Sequence, residues 1–225
     1  MRGRRDHQRA AGVVSIAEDG DASQKKSLHA AERDTEATRK RREEFAARIA
    51  SIPPERLIFL DESGVTTSMT RLSGRRPDGR RIHEATPGAR WKIMTVLGAM
   101  SLRGMVATMT IEEATDAEIF RAYVERVLCP ALQPGCIVVM DNLSSHKVKG
   151  VRERIEGRGA EVLYLPPYSP DLNPIEKAWS KLKQSLRSAK ARSKEALEQA
   201  IADGLQQITP QNAEAWFRLS IEGLH

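Results

Sequence analysis

Three carboxylates in this 225-residue chain are set apart by their surroundings. Asp61 follows the apolar run Leu57-Ile58-Phe59-Leu60, and Asp141 follows Cys136-Ile137-Val138-Val139-Met140. The end of a buried strand is where an α/β sheet opens onto a ligand crevice while its backbone stays rigid. A carboxylate placed there needs its charge compensated, and a divalent cation is the natural partner. Mg²⁺ takes a few carboxylates, several waters and substrate phosphate oxygens, which suits two or three acids on neighbouring strand ends. One Asp at a strand end is equally a turn former or a helix cap, so Asp61 alone leaves both readings open. Asp141 says more, because Asn142, Ser144, Ser145 and His146 follow a strand with no polar group. Asn142 and His146 are auxiliary candidates, although a lone His is more often a structural hydrogen bonder.

Glu176 closes the segment Leu165-Pro166-Pro167-Tyr168-Ser169-Pro170-Asp171-Leu172-Asn173-Pro174-Ile175-Glu176. Asn173 reads as the N-cap of a helix, Pro174 as its first residue and Glu176 as its third. Asn-x-x-Glu resembles a capping box, which would account for Glu176 without any chemistry. That account leaves unexplained the stiff Pro-rich approach, which fixes where the helix begins. Ile175, Trp179, Leu182 and Leu186 follow at helical spacing as a core stripe, and Lys177, Lys181 and Lys183 lie off it.

The net charge is +6 and the sequence pI about 9.5. Seven basic residues and no acidic one lie between Lys177 and Lys194, and a second basic stretch runs from Arg71 to Lys92. Such runs are often only a solvated helix face. Here the run starts one residue after a candidate catalytic carboxylate, which favours contact with the phosphates of a polyanionic partner through Lys177, Lys181, Lys183 and Arg187. Contacts of that kind are salt-sensitive and largely independent of sequence.

The elements that must hold these groups are legible in outline. Residues 1–50 form a polar extension, disordered to about Gln24 and helical from Ser27 to Ala50 with a thin apolar face. A single domain occupies 51–225. Strands are expected at 57–60, 92–100, 105–111, 136–140 and 162–165, with the second and third an antiparallel pair about the turn Leu102-Arg103-Gly104. Helices are expected from Thr115 or Asp116 to Leu128, from Lys147 to Arg158, and at about 174–188, 194–206 and 210–219. Strands first, then strands alternating with helices, give an α/β fold with a mixed sheet and helices packed on it. Cys129 and Cys136 have no second Cys or His at zinc-site spacing and read as small buried residues in a reducing compartment. No apolar run reaches the ~18 residues that cross a bilayer, so the expectation is a soluble, cytoplasmic protein with no membrane partner.

With these pieces together, the chain resembles the bacterial insertion-sequence transposases related to the mariner group. The matching pieces are Leu60-Asp61-Glu62-Ser63-Gly64, Val139-Met140-Asp141-Asn142 with Ser145-His146-Lys147, and the segment from Leu165 to Trp179. Asp141 and Glu176 are separated by 34 residues, the spacing of that group. The resemblance implies a ribonuclease-H-like fold and a DDE triad of Asp61, Asp141 and Glu176 binding two Mg²⁺ ions, with Mn²⁺ able to substitute. It implies cleavage of double-stranded DNA at element ends and joining of those ends to target DNA. A homodimer and a place on the bacterial nucleoid are further expectations. Glu62, next to Asp61, should face the opposite side of its strand. Relatives carry helix-turn-helix domains ahead of the catalytic domain, and only Gln24 to Arg33 looks family-like here. A truncated copy, or the second frame of a frameshifted element, is therefore expected. The competing reading is a non-catalytic DNA-binding or regulatory remnant. A phosphatase with a nucleophilic Asp61 would give the Glu176 segment and the basic stretches no role.

Overall fold

The computed structural model describes residues 30–71, 73–74, 80, 82–86, 91–112, 114–142 and 150–221. Five strands form one mixed sheet in the order β3-β2-β1-β4-β5. They are β1 (Leu57–Thr66), β2 (Ile93–Ser101), β3 (Gly104–Glu112), β4 (Ile137–Met140) and β5 (Glu161–Tyr164). β1, β2 and β3 run antiparallel as a meander, while β4 and β5 lie parallel to β1. The β2–β3 hairpin turns at the expected place, and Gly104 supplies the positive φ of 96° there.

Alternation along the strands divides the core into two layers. Leu57, Phe59 and Val65 of β1 join Ile137 and Val139 of β4 on one face. Ile58 and Leu60 join Val138 and Met140 on the other. The first face is covered by α5 (Ile175–Ala189), α6 (Lys194–Gln206) and α7 (Pro210–Ile221), and by Phe45 and Ile49 of α1 (Glu36–Ala50). Phe217 of α7 meets Phe59 edge-on with ring centroids 5.2 Å apart. The second face is covered by α2 (Ala117–Tyr123) and its continuation, and by α4 (Val151–Glu156). The Tyr123 hydroxyl, buried there, donates to the Ala107 carbonyl at 3.1 Å.

Several boundaries differ from those expected. β1 does not end at Leu60. Its partner β2 pairs with it from Phe59 to Thr66, so polar Asp61, Glu62 and Ser63 stay inside the ladder. α2 begins as expected at Asp116, whose Oδ1 accepts from the amides of Glu118 and Ile119. It then widens into a π turn at Val124–Leu128 before a last turn, α3, at Cys129–Ala131. Pro130 is the physical reason: it has no N–H for the carbonyl four residues back and its ring would collide with it. β4 starts at Ile137 rather than Cys136, which is only half-buried. The helix expected over 147–158 is described only from Val151 and ends at Glu156, and residues 143–149 lie outside the described residues. The N-terminal helix starts at Glu36 after a 3₁₀ turn at Ala31–Asp34, and residues 1–29 also lie outside the description. Among the described residues no helix is long and apolar enough to cross a membrane.

Candidate active site

β4 pairs with β1 in the register Leu57–Ile137, Ile58–Val138 and Phe59–Val139, and stops at Met140. Extending that register by two residues sets Asp61 beside Asp141. Both follow the alternation of Phe59 and Val139, so both belong to the face that α5 covers. Asp61 is therefore exposed to a cleft not because its own strand ends, as the sequence suggested, but because its neighbour does. Glu62 falls into register with Ile58 and Leu60, toward the opposite layer, as expected.

Glu176 comes from the first turn of α5. The helix begins one residue later than expected, with Pro174 rather than Asn173 at the N-cap and no side chain capping it. Asn173 is buried, and its Oδ1 has no hydrogen-bond partner. The capping-box explanation of Glu176 fails with it. The Pro-rich approach leads directly into the helix start, and Glu176 lines the same cleft as the two aspartates.

That cleft, of about 360 Å³, is lined by Asp61, Asp141, Asn142 and Glu176 together with the Leu165–Pro170 segment and Asn173. Burial, then the charge of Glu176, pushes the Asp61 carboxyl up to about 7, and Asp141 adds to this. Hydrogen bonds from the Glu62 backbone and the Trp179 indole pull the other way. Glu176 is also raised, by burial, against the opposing charges of Lys183 and Lys177. Burial, joined at Asp61 by the neighbouring carboxylates, thus disfavours the ionised forms, a condition that a bound cation relieves. Among the described residues, no three His, Cys, Asp or Glu side chains stand close enough to hold one ion in common. The carboxylates form an open wall rather than a finished cage. Such a wall of oxygen donors fits Mg²⁺, which keeps several waters and uses only one or two carboxylates at a time.

Trp179 was legible in the sequence only as core. It is core, but its Nε1–H also donates to Asp61 Oδ2 at 3.1 Å. Room for its ring comes from Gly98, which faces Asp61 across the β1–β2 ladder. A Cβ at Gly98 would lie 2.5 Å from the Trp179 ring. The signal available in the sequence was general: a buried indole N–H needs an acceptor.

The basic run divides. Lys181 Nζ donates to the Gln207 carbonyl at 2.6 Å and to Asn212 Oδ1 at 2.5 Å, which ties α5 to the α6–α7 junction. Lys190 pairs with Glu84, Lys194 with Glu112, and Arg192 donates to the carbonyls of Thr67 and Met69. Lys177 and Lys183 act on Glu176. Arg187 lines a separate recess with Arg71, Ser73, Gln184 and Ser188. His146 lies outside the described residues.

A family model described as DDE superfamily endonuclease matches residues 56–198. The transposable element Tcb2 transposase of Caenorhabditis briggsae is 27% identical over 100 residues, 43% of this chain and 37% of that protein. The Mos1 transposase paired-end complex with left transposon end superposes with a TM-score of 0.73 at 19% identity, over 90% of this chain and 65% of that one. The catalytic domain of Mos1 mariner transposase superposes with a TM-score of 0.60 at 18% identity, over 87% and 92% of the two chains. The fold is thus the ribonuclease-H-like one of the Mos1 catalytic domain, while this chain spans less than two thirds of the Tcb2 protein and of the Mos1 chain in the paired-end complex.

Proposed function

The chain belongs to the DDE superfamily endonucleases, and on that premise we propose that it is the catalytic domain of a mariner-type DNA transposase, cleaving DNA strands at element ends and joining them to a target. The observation that carries this reading is the convergence of Asp61, Asp141 and Glu176 on one cleft from three separate elements. Asp61 lies within β1, Asp141 directly follows the adjacent parallel strand β4, and the glutamate comes from the first turn of α5. They are the residues we assign as metal ligands and as catalytic. Two Mg²⁺ or Mn²⁺ ions bound there would supply activation of the attacking oxygen and stabilisation of the leaving one in an in-line displacement at phosphorus.

The protein's own groups prepare that chemistry. Trp179 holds one oxygen of Asp61 by its N–H, which orients the carboxylate beside the cleft. The proline-walled side of the cleft limits the directions from which a strand can enter. Lys177 and Lys183 stand close enough to Glu176 to act on its charge, and phosphates of a bound strand would meet them on the same rim. Asn142, at the same mouth, is suited to orienting a phosphate or water. The partner is double-stranded DNA. A homodimer holding two element ends is supported by the paired-end assemblies of the Mos1 neighbours.

Nicking of supercoiled plasmid with Mg²⁺ or Mn²⁺, comparing the wild type with Asp141→Asn, tests this reading. Asparagine preserves shape and removes the charge. Nicking by the wild type alone is the expected result. Equal nicking by both would place the activity elsewhere. No nicking by either, with DNA binding retained, would favour a non-catalytic remnant.

A further inference from the structure

We infer that Arg42, on a helix outside the segment that matches the family, is a positioning residue for the active site, holding the proline-rich turn that sets Glu176. The inference rests on the proposed function.

The turn is poorly equipped to hold itself. Pro166, Pro167, Pro170 and Pro174 have no N–H, so the backbone between β5 and α5 can make few bonds of its own. Its internal backbone-to-backbone bonds are confined to the far end, Leu172 N–H to the Ser169 carbonyl and Asn173 N–H to the Pro170 carbonyl, both 3.1 Å. Tyr168 adds a left-handed φ of 55°, unfavourable for a residue with a side chain and sustained only by what surrounds it.

Arg42 supplies the missing donors. Its Nη1 donates to Ser169 Oγ at 2.7 Å and to Asp171 Oδ1 at 3.1 Å, and its Nη2 donates to Asp171 Oδ2 at 2.8 Å. Ser169 Oγ donates in turn to the Pro167 carbonyl at 2.9 Å. One guanidinium thus grips both sides of the turn's apex, with the paired geometry that makes arginine–carboxylate contacts strong and directional. Arg33 adds a second, more exposed contact to Asp171 at 3.2 Å. Burial alone would raise the Asp171 carboxyl, but the hydrogen bond and charge of Arg42, with the charge of Arg33, keep it below the usual range.

The helix side is anchored as firmly. Thr38, Arg42, Phe45 and Ile49 recur at spacings of four, three and four along α1, one stripe facing the domain. Phe45 and Ile49 are buried in the layer that contains Trp179 and Ile175. Arg42 itself is only 15% exposed, so it is not an ordinary surface ion pair. From Asn173 the chain needs only three residues to reach Glu176, whose N–H bonds the Asn173 carbonyl at 3.2 Å. A displaced turn therefore displaces the glutamate.

The test compares wild type, Arg42→Gln, Arg42→Lys, the single changes Arg42→Asp and Asp171→Arg and the charge-exchanged pair that combines them, with Arg41→Gln as a control on the same helix. Two quantities are read on the full chain: hydrogen exchange at the amides of Leu172, Asn173 and Glu176, and Mn²⁺ binding followed by the loss of the free-ion paramagnetic resonance signal. Arg42→Gln should speed exchange roughly tenfold and raise the half-saturating Mn²⁺ concentration several-fold, a change equivalent to losing one charge-assisted contact. Arg42→Lys, which keeps charge but not the fork, should fall between, and the exchanged pair should recover Mn²⁺ affinity relative to either single change. Unchanged exchange in Arg42→Gln overturns the inference, as does faster exchange with undiminished Mn²⁺ affinity. Wild-type chain that binds no Mn²⁺ and nicks no DNA points instead to an error in the reading of the site, and the inference falls with it.

Discussion

Trp179 donates its indole N–H to Asp61 from the same helix that presents Glu176, one turn earlier, to the same cleft. Two of the three carboxylates are thus referenced to one rigid element, and the distance between them depends on how that helix seats on the sheet. Replacing Trp179 with Phe keeps most of the ring and removes the donor. We expect a loss of about 1 kcal/mol in stability, the typical net worth of such a bond, with a larger effect, roughly tenfold, on metal-dependent nicking. Paired urea melts and nicking rates measure both, and parallel small losses in the two would show the hydrogen bond to be merely structural.

Gly98 belongs to the same relationship. A methyl group there would run into the Trp179 ring and the Met105 methyl, at 2.5 and 2.6 Å. Gly98→Ala should cost about 1–3 kcal/mol by overpacking, and it should shift the Trp179 emission as the ring is displaced. Alanine tolerated without change in the melting midpoint or emission would mean that the ring does not pack against Gly98.

The carboxylates also set a pH dependence. Asp61 is raised from an ordinary 3.8 to about 7, so the folded chain keeps a proton that the unfolded chain has already lost. Its contribution to stability is therefore greatest below pH 4 and is lost as pH rises toward 7. In EDTA, the difference in stability between wild type and Asp61→Asn should move against the wild type by on the order of 2 kcal/mol between pH 5 and 7.5. Mg²⁺ or Mn²⁺, which binds the ionised form, should oppose that trend. Parallel curves for the two proteins across the window, by thermal melting in EDTA, would contradict the assigned cause.

The lysines separate by what they touch. Lys183→Ala together with Lys177→Ala should weaken binding to any DNA duplex and reduce the slope of log affinity against log salt by about two. Lys181→Ala should leave that slope alone and lower the melting midpoint instead, because its amine holds Gln207 and Asn212. Filter-binding titrations over a range of salt discriminate the two outcomes, and a salt-slope change in Lys181→Ala would return it to the DNA face.

What the sequence made legible follows its periodicities. The strand stripes, the α5 stripe and the order of elements were readable because burial repeats every two or three to four residues. The polar second half of β1 was not, because its pairing is dictated by β2, more than 25 residues further on, rather than by its own composition. Asn173 looked like a cap because its type and spacing suit one; it instead ends the 3₁₀ turn at Pro170–Leu172, and Pro174 takes the cap position. Arg42 and Gly98 carried no local sign of their roles, since each acts on a residue from another part of the chain. Seven basic residues in a row of helices looked like one surface, and the fold turned four of them to partners within the protein.

The order of elements also dictates when the chain can act during its own synthesis. α1 and the β1–β3 meander leave the ribosome first and can pair among themselves. Asp61 is then present, but its parallel neighbour, its indole donor and Glu176 are all still to come. Arg42 likewise waits for a turn more than a hundred residues downstream. A nascent or prematurely terminated chain lacking α5 therefore has only two of the three cleft carboxylates, and the cutting centre proposed above is assembled only once α5 has been made.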